Sequence, residues 1–277
     1  MQIVYDLVRS RLLARFGENI IAIIAYGSVT RPDDFAGNVS DVDVAVITKE
    51  IIPARDRLDL FLDLSFHVDA VFLTKEQLAE LSIEGYPLAY YIIEDGRVIY
   101  GDVKVIEDLN FRVTEKTLDI LKKSSIAALG LGVESYLMGM YNDSASHLYH
   151  AIRHAVRWRA AENKGRIPIS NVEIYNSIKE LELGEIIGKT FMELVEARRS
   201  ELNSVKCRTL IEKTVKALAD IHGFERISSW SKAENELIKL KSRASLVEVK
   251  PVIKENKLKW SIKVFDTLKD RLLEFEV

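Results

Sequence analysis

Residues 20–47, IIAIIAYGSVTRPDDFAGNVSDVDVAVI, constrain this chain more than any other stretch. Residues 20–26 are apolar throughout and β-branched at four of seven positions, which predicts a buried strand that Gly27 ends. Residues 42–47 predict a second strand. Its period of two puts Asp41 and Asp43 on one face and sends Val42 and Val44 to the other, into the core. Residues 65–73 predict a third strand with Asp69 at its middle, and Gly96 turns the chain into a short edge strand at 97–100. Residues 3–15 place Ile3, Leu7 and Leu12 among arginines, the pattern of an amphipathic helix.

These positions carry a specific chemistry. A glycine at the end of a strand lets a phosphate approach the backbone. Ser28 adds a hydroxyl donor, and free N–H groups follow if a helix begins there. Adjacent carboxylates repel and stay ionised together only around a cation; an all-oxygen set favours Mg²⁺ or Mn²⁺. If the strand carrying Asp69 lies beside the one carrying Asp43, three carboxylates flank a phosphate cradle, the outline of a two-metal phosphoryl-transfer site. Arg31 either contacts phosphate or pairs with Asp33 or Asp34. His67 shares the face of Asp69; the expectation favours a satisfied core histidine over a group supporting the site.

Gly27-Ser28, then Asp41-Val42-Asp43, then a third acid on a following strand resembles the nucleotidyltransferase superfamily that includes DNA polymerase β. Arg31 and Ser40 match its smaller members, whereas Pro32 stands where they usually have Gly, and the loop 32–39 is a few residues longer. The resemblance covers roughly residues 20–101. It implies that Gly27 and Ser28, with Arg31 and Ser40, hold the phosphates of a nucleoside triphosphate. It further implies that Asp41 and Asp43 bind both metals. Asp69 would complete the metal that activates the acceptor hydroxyl, or act as its base. The reaction implied is attack on the α-phosphorus with release of pyrophosphate.

After residue 110 the strand signal fades, and residues 115–129, 132–141, 144–163, 171–181, 188–220, 230–244 and 258–274 read as helices. The fold class expected is therefore α+β: a small mixed-sheet domain over 1–110, followed by an all-α helical bundle over 111–277. Residues 126–170 resemble the HEPN-type helical domain, and the layout is similar to kanamycin-type antibiotic nucleotidyltransferases. That likeness implies a substrate-binding lid, with Glu134 as a candidate base. On helix 144–163, Tyr149, Arg153 and Arg157 form one stripe, readable either as a phosphate clamp or as a solvated face. His147, His150 and His154 share a face, for which packing is favoured over zinc.

Charge separates along the chain. Residues 1–110 hold 10 Lys+Arg against 19 Asp+Glu, whereas the rest holds 29 against 23. An acidic half joined to a basic one suits a metal–phosphate substrate, although on charge alone two domains with unlike solvated faces are the favoured reading. The single cysteine excludes a disulfide framework. No apolar run reaches the length of a membrane span, so the expectation is a cytoplasmic protein without a membrane partner. A pI near 6.0 and a tail in which Lys alternates with Glu argue against a nucleic-acid partner.

The function expected is metal-dependent transfer of a nucleoside monophosphate, AMP from ATP foremost, to a hydroxyl of a small molecule or protein. The rival reading is a nucleotide-binding regulatory or partner scaffold with little turnover. A monomer and a homodimer fit both.

Overall fold

The computed structural model describes every residue except 1, 32, 33, 36–40, 241 and 243. The chain packs as two compact units. One comprises Met1–Ile120 with Ile169–Glu173, the other Leu121–Pro168 with Ile174–Val277.

The first unit runs α1 (Gln2–Phe16), β1 (Ile20–Tyr26), β2 (Val42–Thr48), α2 (Ala54–Arg57), β3 (Val68–Thr74), α3 (Lys75–Glu84), α4 (Pro87–Glu94), β4 (Arg97–Gly101) and α5 (Lys104–Glu107). The strand order is β3-β2-β1-β4. β2 and β3 are parallel and the other pairs antiparallel, so the sheet is mixed, as expected. β1 is apolar along its whole length because both its faces are covered. Ile23 and Ala25 join Tyr5, Val8 and Leu12 of α1 with Val44 and Val46. Ala22, Ile24 and Tyr26 join Leu78 of α3, Ala89 and Ile92 of α4, Ala45 and Ile47. α3 and α4 were not among the expected elements. Their local signals are nonetheless strong: Thr74 and Gln77 form a reciprocal capping box, Gly85 ends α3 at φ 82°, and Pro87 opens α4.

The helix α6 (Glu115–Leu137) begins at the edge of the first unit. α7 (Tyr141–Lys164), α8 (Asn171–Glu180), α9 (Glu185–Ala197), α10 (Ser204–His222) and α11 (Trp230–Leu240) follow. α6 is continuous where two helices were expected. A Cβ at Gly132 would lie 2.9 Å from Leu148 Cδ2, and Ser144 Oγ donates to the Gly132 carbonyl at 2.6 Å, so this glycine brings α6 and α7 into close contact. Conversely, the single helix expected over 188–220 is broken, because Asn203 caps α10 by accepting from Lys206 N–H.

The last fifty residues overturn the all-helical expectation for this half. β5 (Arg226–Ile227), β6 (Ala244–Lys254), β7 (Lys257–Asp266) and β8 (Arg271–Glu276) form a second sheet with β7 at its centre. Residues 258–274, expected as a helix, are mostly strand. Leu258, Trp260, Ile262 and Val264 are buried at every second position, a strand period that the surrounding lysines obscured. Glu255 and Asn256, at φ 49° and 57°, make the tight turn between β6 and β7. Trp260 packs on Trp230 at 5.1 Å, edge to face, and its Nε1 donates to the Ser228 carbonyl at 2.9 Å. The α+β class stands, with helices forming most of the second half and a sheet closing it.

Candidate active site

The parallel pairing of β2 and β3 decides the site. Val42 N–H donates to the His67 carbonyl at 3.0 Å, and the register then sets Asp43 directly beside Asp69. Neighbouring strands lie roughly 4.8 Å apart, so two carboxylates in register on one face are close neighbours. Asp43 is also the cross-strand partner of Tyr26, the last residue of β1. Tyr26 is almost fully buried. Burial first, then the charges of Asp43 and Asp69, push its phenol far above the ordinary tyrosine value. Tyr26, Asp43 and Asp69 therefore converge at the end of β1 where the Gly27 turn begins.

Gly27 has φ 75°, a left-handed conformation, and starts a 3-10 turn through Thr30. A Cβ there would run into the Asp43 carboxylate, with Cγ at 3.2 Å. The glycine is thus required twice, by the backbone and by the carboxylate packed on it. Ser28 follows, half-buried. The turn is gripped from two sides. Tyr5 OH of α1 donates to the Val29 carbonyl at 2.8 Å. Asp95, between α4 and β4, accepts the Gly27 N–H at 3.0 Å, the Thr30 hydroxyl at 3.0 Å and the Arg31 guanidinium.

Arg31 pairs with Asp34, as one sequence alternative had it, at 2.9 Å, and also with Asp95. Burial opposes its charge, but the hydrogen bonds to Asp95 and Asp34 outweigh that and raise its pKa. Asp34, itself buried, also accepts from the Asn171 backbone N–H. Asp95 is the site residue that the sequence reading missed. Its one local signal was the Asp95-Gly96 turn into β4.

Asp41 lies just before β2, exposed, 3.2 Å from His67 Nδ1. His67 is 73% exposed, which overturns the core reading of that residue. Among the described residues no group of three or more His, Cys, Asp or Glu side chains stands arranged for a metal ion. Asp43 and Asp69 lie together, whereas Asp41 faces His67. The pair still fits a hard divalent cation, since both donors are carboxylates in register on one face. Ser40, Pro32, Asp33 and most of the loop 32–39 fall outside the described residues.

In the second unit the Tyr149, Arg153, Arg157 stripe is buried, which rules out a solvated face. Tyr149 stacks on Phe191 at 5.7 Å, and the Arg198 and Arg153 guanidinium carbons lie 4.2 and 5.6 Å from its ring centroid. Arg157 Nε donates to the Pro168 carbonyl at 2.9 Å. Burial and the neighbouring Arg157 and Arg153 hold His154 down at about 3, and His150 is likewise held well below the ordinary value. Glu134 is exposed.

Residues 11–104 match the family described as polymerase beta, nucleotidyltransferase. They form a nucleotidyltransferase domain of the polymerase beta type. This match takes in β1, β2, β3, the Gly27 turn and Asp95. No curated protein matches the chain. Among solved structures, a spectinomycin adenyltransferase, AAD(9), from Enterococcus faecialis, with ATP and spectinomycin, is similar at TM-score 0.54 and 13% identity, over 78% of this chain and 97% of that one. At that identity the likeness is one of fold. A nucleotidyltransferase-like protein from Exiguobacterium sibiricum aligns over 91% of this chain and 95% of its own at 13% identity, but its TM-score of 0.28 carries no argument. Among the described residues no helix is long and apolar enough to cross a membrane.

Proposed function

We propose that this protein transfers a nucleoside monophosphate, AMP from ATP foremost, to a hydroxyl group of a small molecule, releasing pyrophosphate. The observation that carries this reading is the register of Asp43 with Asp69 beside the Gly27–Ser28 turn, inside a nucleotidyltransferase domain. The solved adenyltransferase of similar fold holds ATP together with a small molecule, which favours a small-molecule acceptor over a protein one.

Ser28 offers its hydroxyl and backbone N–H to the phosphates, and the turn gives them a close approach to the backbone. Asp43 and Asp69, with Asp41 if it turned from His67, would hold Mg²⁺ or Mn²⁺. Such an ion neutralises the charge that builds on the phosphate oxygens. A carboxylate oxygen of Asp69 takes the proton of the acceptor hydroxyl as its oxygen bonds to the α-phosphorus, and the bond to the pyrophosphate oxygen breaks with its electron pair. Tyr26 stays protonated beside the two carboxylates.

The test is pyrophosphate release with Mg²⁺, each of four nucleoside triphosphates, and a panel of hydroxyl-bearing small molecules that includes aminocyclitols. Acceptor-dependent release that disappears in Asp43→Asn and in Asp69→Asn, while both variants remain folded, supports the reading. Release unchanged in those variants refutes the site. ATP binding without release on any acceptor refutes the transferase and returns the scaffold reading.

A further inference from the structure

The Gly27 turn carries two demands that its own residues do not meet. It must keep a left-handed glycine beside a carboxylate, and it must hold Arg31 inward, with only 18% of that side chain exposed. Asp95, from a distant part of the chain, meets the first and shares the second with Asp34. β4 pairs antiparallel with β1 so that Arg97 faces Ala25. Extending that register by two residues brings Asp95 opposite Gly27, and Asp95 Oδ2 accepts the Gly27 N–H. Its other oxygen accepts the Thr30 hydroxyl. Gly96 fixes the approach: a Cβ there would collide with the Ile92 carbonyl of α4 and lie 2.8 Å from Ile24 Cγ2 of β1. The Asp95 side chain is only 10% exposed, so water competes little for these bonds.

We propose that Asp95 is the positioning residue of the nucleotide turn, a carboxylate tie that holds Gly27, Thr30 and Arg31 in place and leaves Ser28 as the donor presented to phosphate. This rests on the transferase reading and deepens it. Gly27 N–H, which a glycine-rich cradle would ordinarily give to phosphate, is committed to Asp95. The turn contributes shape at Gly27 and a donor at Ser28. Arg31, paired on both sides by Asp95 and Asp34, acts as a strut of the turn and not as a phosphate ligand.

The experiment uses the full chain and three variants: Asp95→Ala, Asp95→Asn and Asp95→Glu. Amide hydrogen exchange at Gly27 and pyrophosphate-release kinetics are read in parallel. A hydrogen bond to a charged acceptor contributes roughly a tenfold to hundredfold protection. Asp95→Ala is therefore expected to speed exchange at Gly27 by about tenfold or more, with Ile23 and Ile24 unchanged. It should raise KM for the nucleotide by a similar factor, with kcat moved less. Asp95→Asn, which keeps an acceptor oxygen but loses the charge facing Arg31, should fall between and stays informative if the alanine variant fails to fold. Asp95→Glu should not restore the wild type, because the longer side chain overshoots a packed site. Unchanged Gly27 exchange in Asp95→Ala overturns the tie. Faster exchange with an unchanged KM overturns its use in nucleotide binding. Wild-type protein that neither binds nor turns over any nucleoside triphosphate refutes the transferase reading instead, and the exchange data then still decide whether Asp95 holds the turn.

Discussion

Replacing Gly27 by alanine separates backbone strain from the loss of the site. Two effects act at this position. A side chain at φ 75° is strained, at a cost of about 1–2 kcal/mol. The new methyl also occupies the space of the Asp43 carboxylate. That carboxylate is the end of a short side chain and can rotate away, so the contact adds little to the stability cost. Its consequence falls on chemistry instead, since Asp43 leaves its place beside Asp69. Gly223 supplies the control. It has φ 70°, but a methyl placed there would meet no neighbour within 4 Å, so Gly223→Ala carries the strain alone. The two substitutions are expected to destabilise their own units similarly, by about 1–2 kcal/mol. Exchange of β1 amides reads this for Gly27, and tryptophan fluorescence in urea reads it for Gly223, because Trp158, Trp230 and Trp260 all belong to the second unit. Turnover should separate them. Metal clamping of transferring phosphates contributes several kcal/mol, so displacing one of its carboxylates should lower kcat/KM by about a hundredfold or more. Gly223→Ala should leave kcat/KM near wild type. If Gly27→Ala keeps kcat/KM within about threefold of wild type while showing the expected strain, Asp43 is not the working carboxylate and the reasoning fails.

Two further outcomes follow from the titrating groups. Neutralising the pair in Asp43→Asn/Asp69→Asn should bring the Tyr26 phenol pKa down towards its ordinary value, though burial, the larger cause, keeps it elevated; difference absorbance titration against Tyr26→Phe reads the shift, and no change would place the carboxylates away from that ring. His222 is held at about 3 by burial, with Lys122 and Arg159 adding to it, against 6.5 for an ordinary histidine. Its folded pKa is depressed, so the unfolded chain binds the extra proton. His222 should therefore contribute a loss of about 1.4 kcal/mol per pH unit to the second unit as pH falls below about 6.5 towards 3, in addition to the losses from His150 and His154. Urea unfolding followed by tryptophan fluorescence should show at least that slope in the wild type and a shallower one in His222→Leu; equal slopes would refute it.

The parts that the sequence disclosed are those whose signal is local. β1 spans 20–26 as its apolar run indicated, and the alternation after Ser40 separates Asp43 from the valines because pleat geometry alone requires it. The Gly-Ser turn between them is equally local. The second half misled where composition and period disagreed. Residues 258–274 read as a helix beside a tail in which Lys alternates with Glu, yet the buried residues Leu258, Trp260, Ile262 and Val264 recur every two positions, and period is the better guide to a strand.

The sequence by itself thus determined that a glycine turn and an acidic strand edge lie close together along the chain. Only the tertiary structure decided what they do to one another. The register of β2 with β3 brings Asp69 beside Asp43, and the register of β1 with β4 brings Asp95 to Gly27, a residue 68 positions away. The same holds for the burial of Arg153 and Arg198 around Tyr149 and of Arg157 against the Pro168 carbonyl, which no charge pattern along α7 reveals. Register and burial are properties of pairs of segments, set by which faces cover which. A one-residue slip in either strand pairing would leave every local signal intact and dismantle the site.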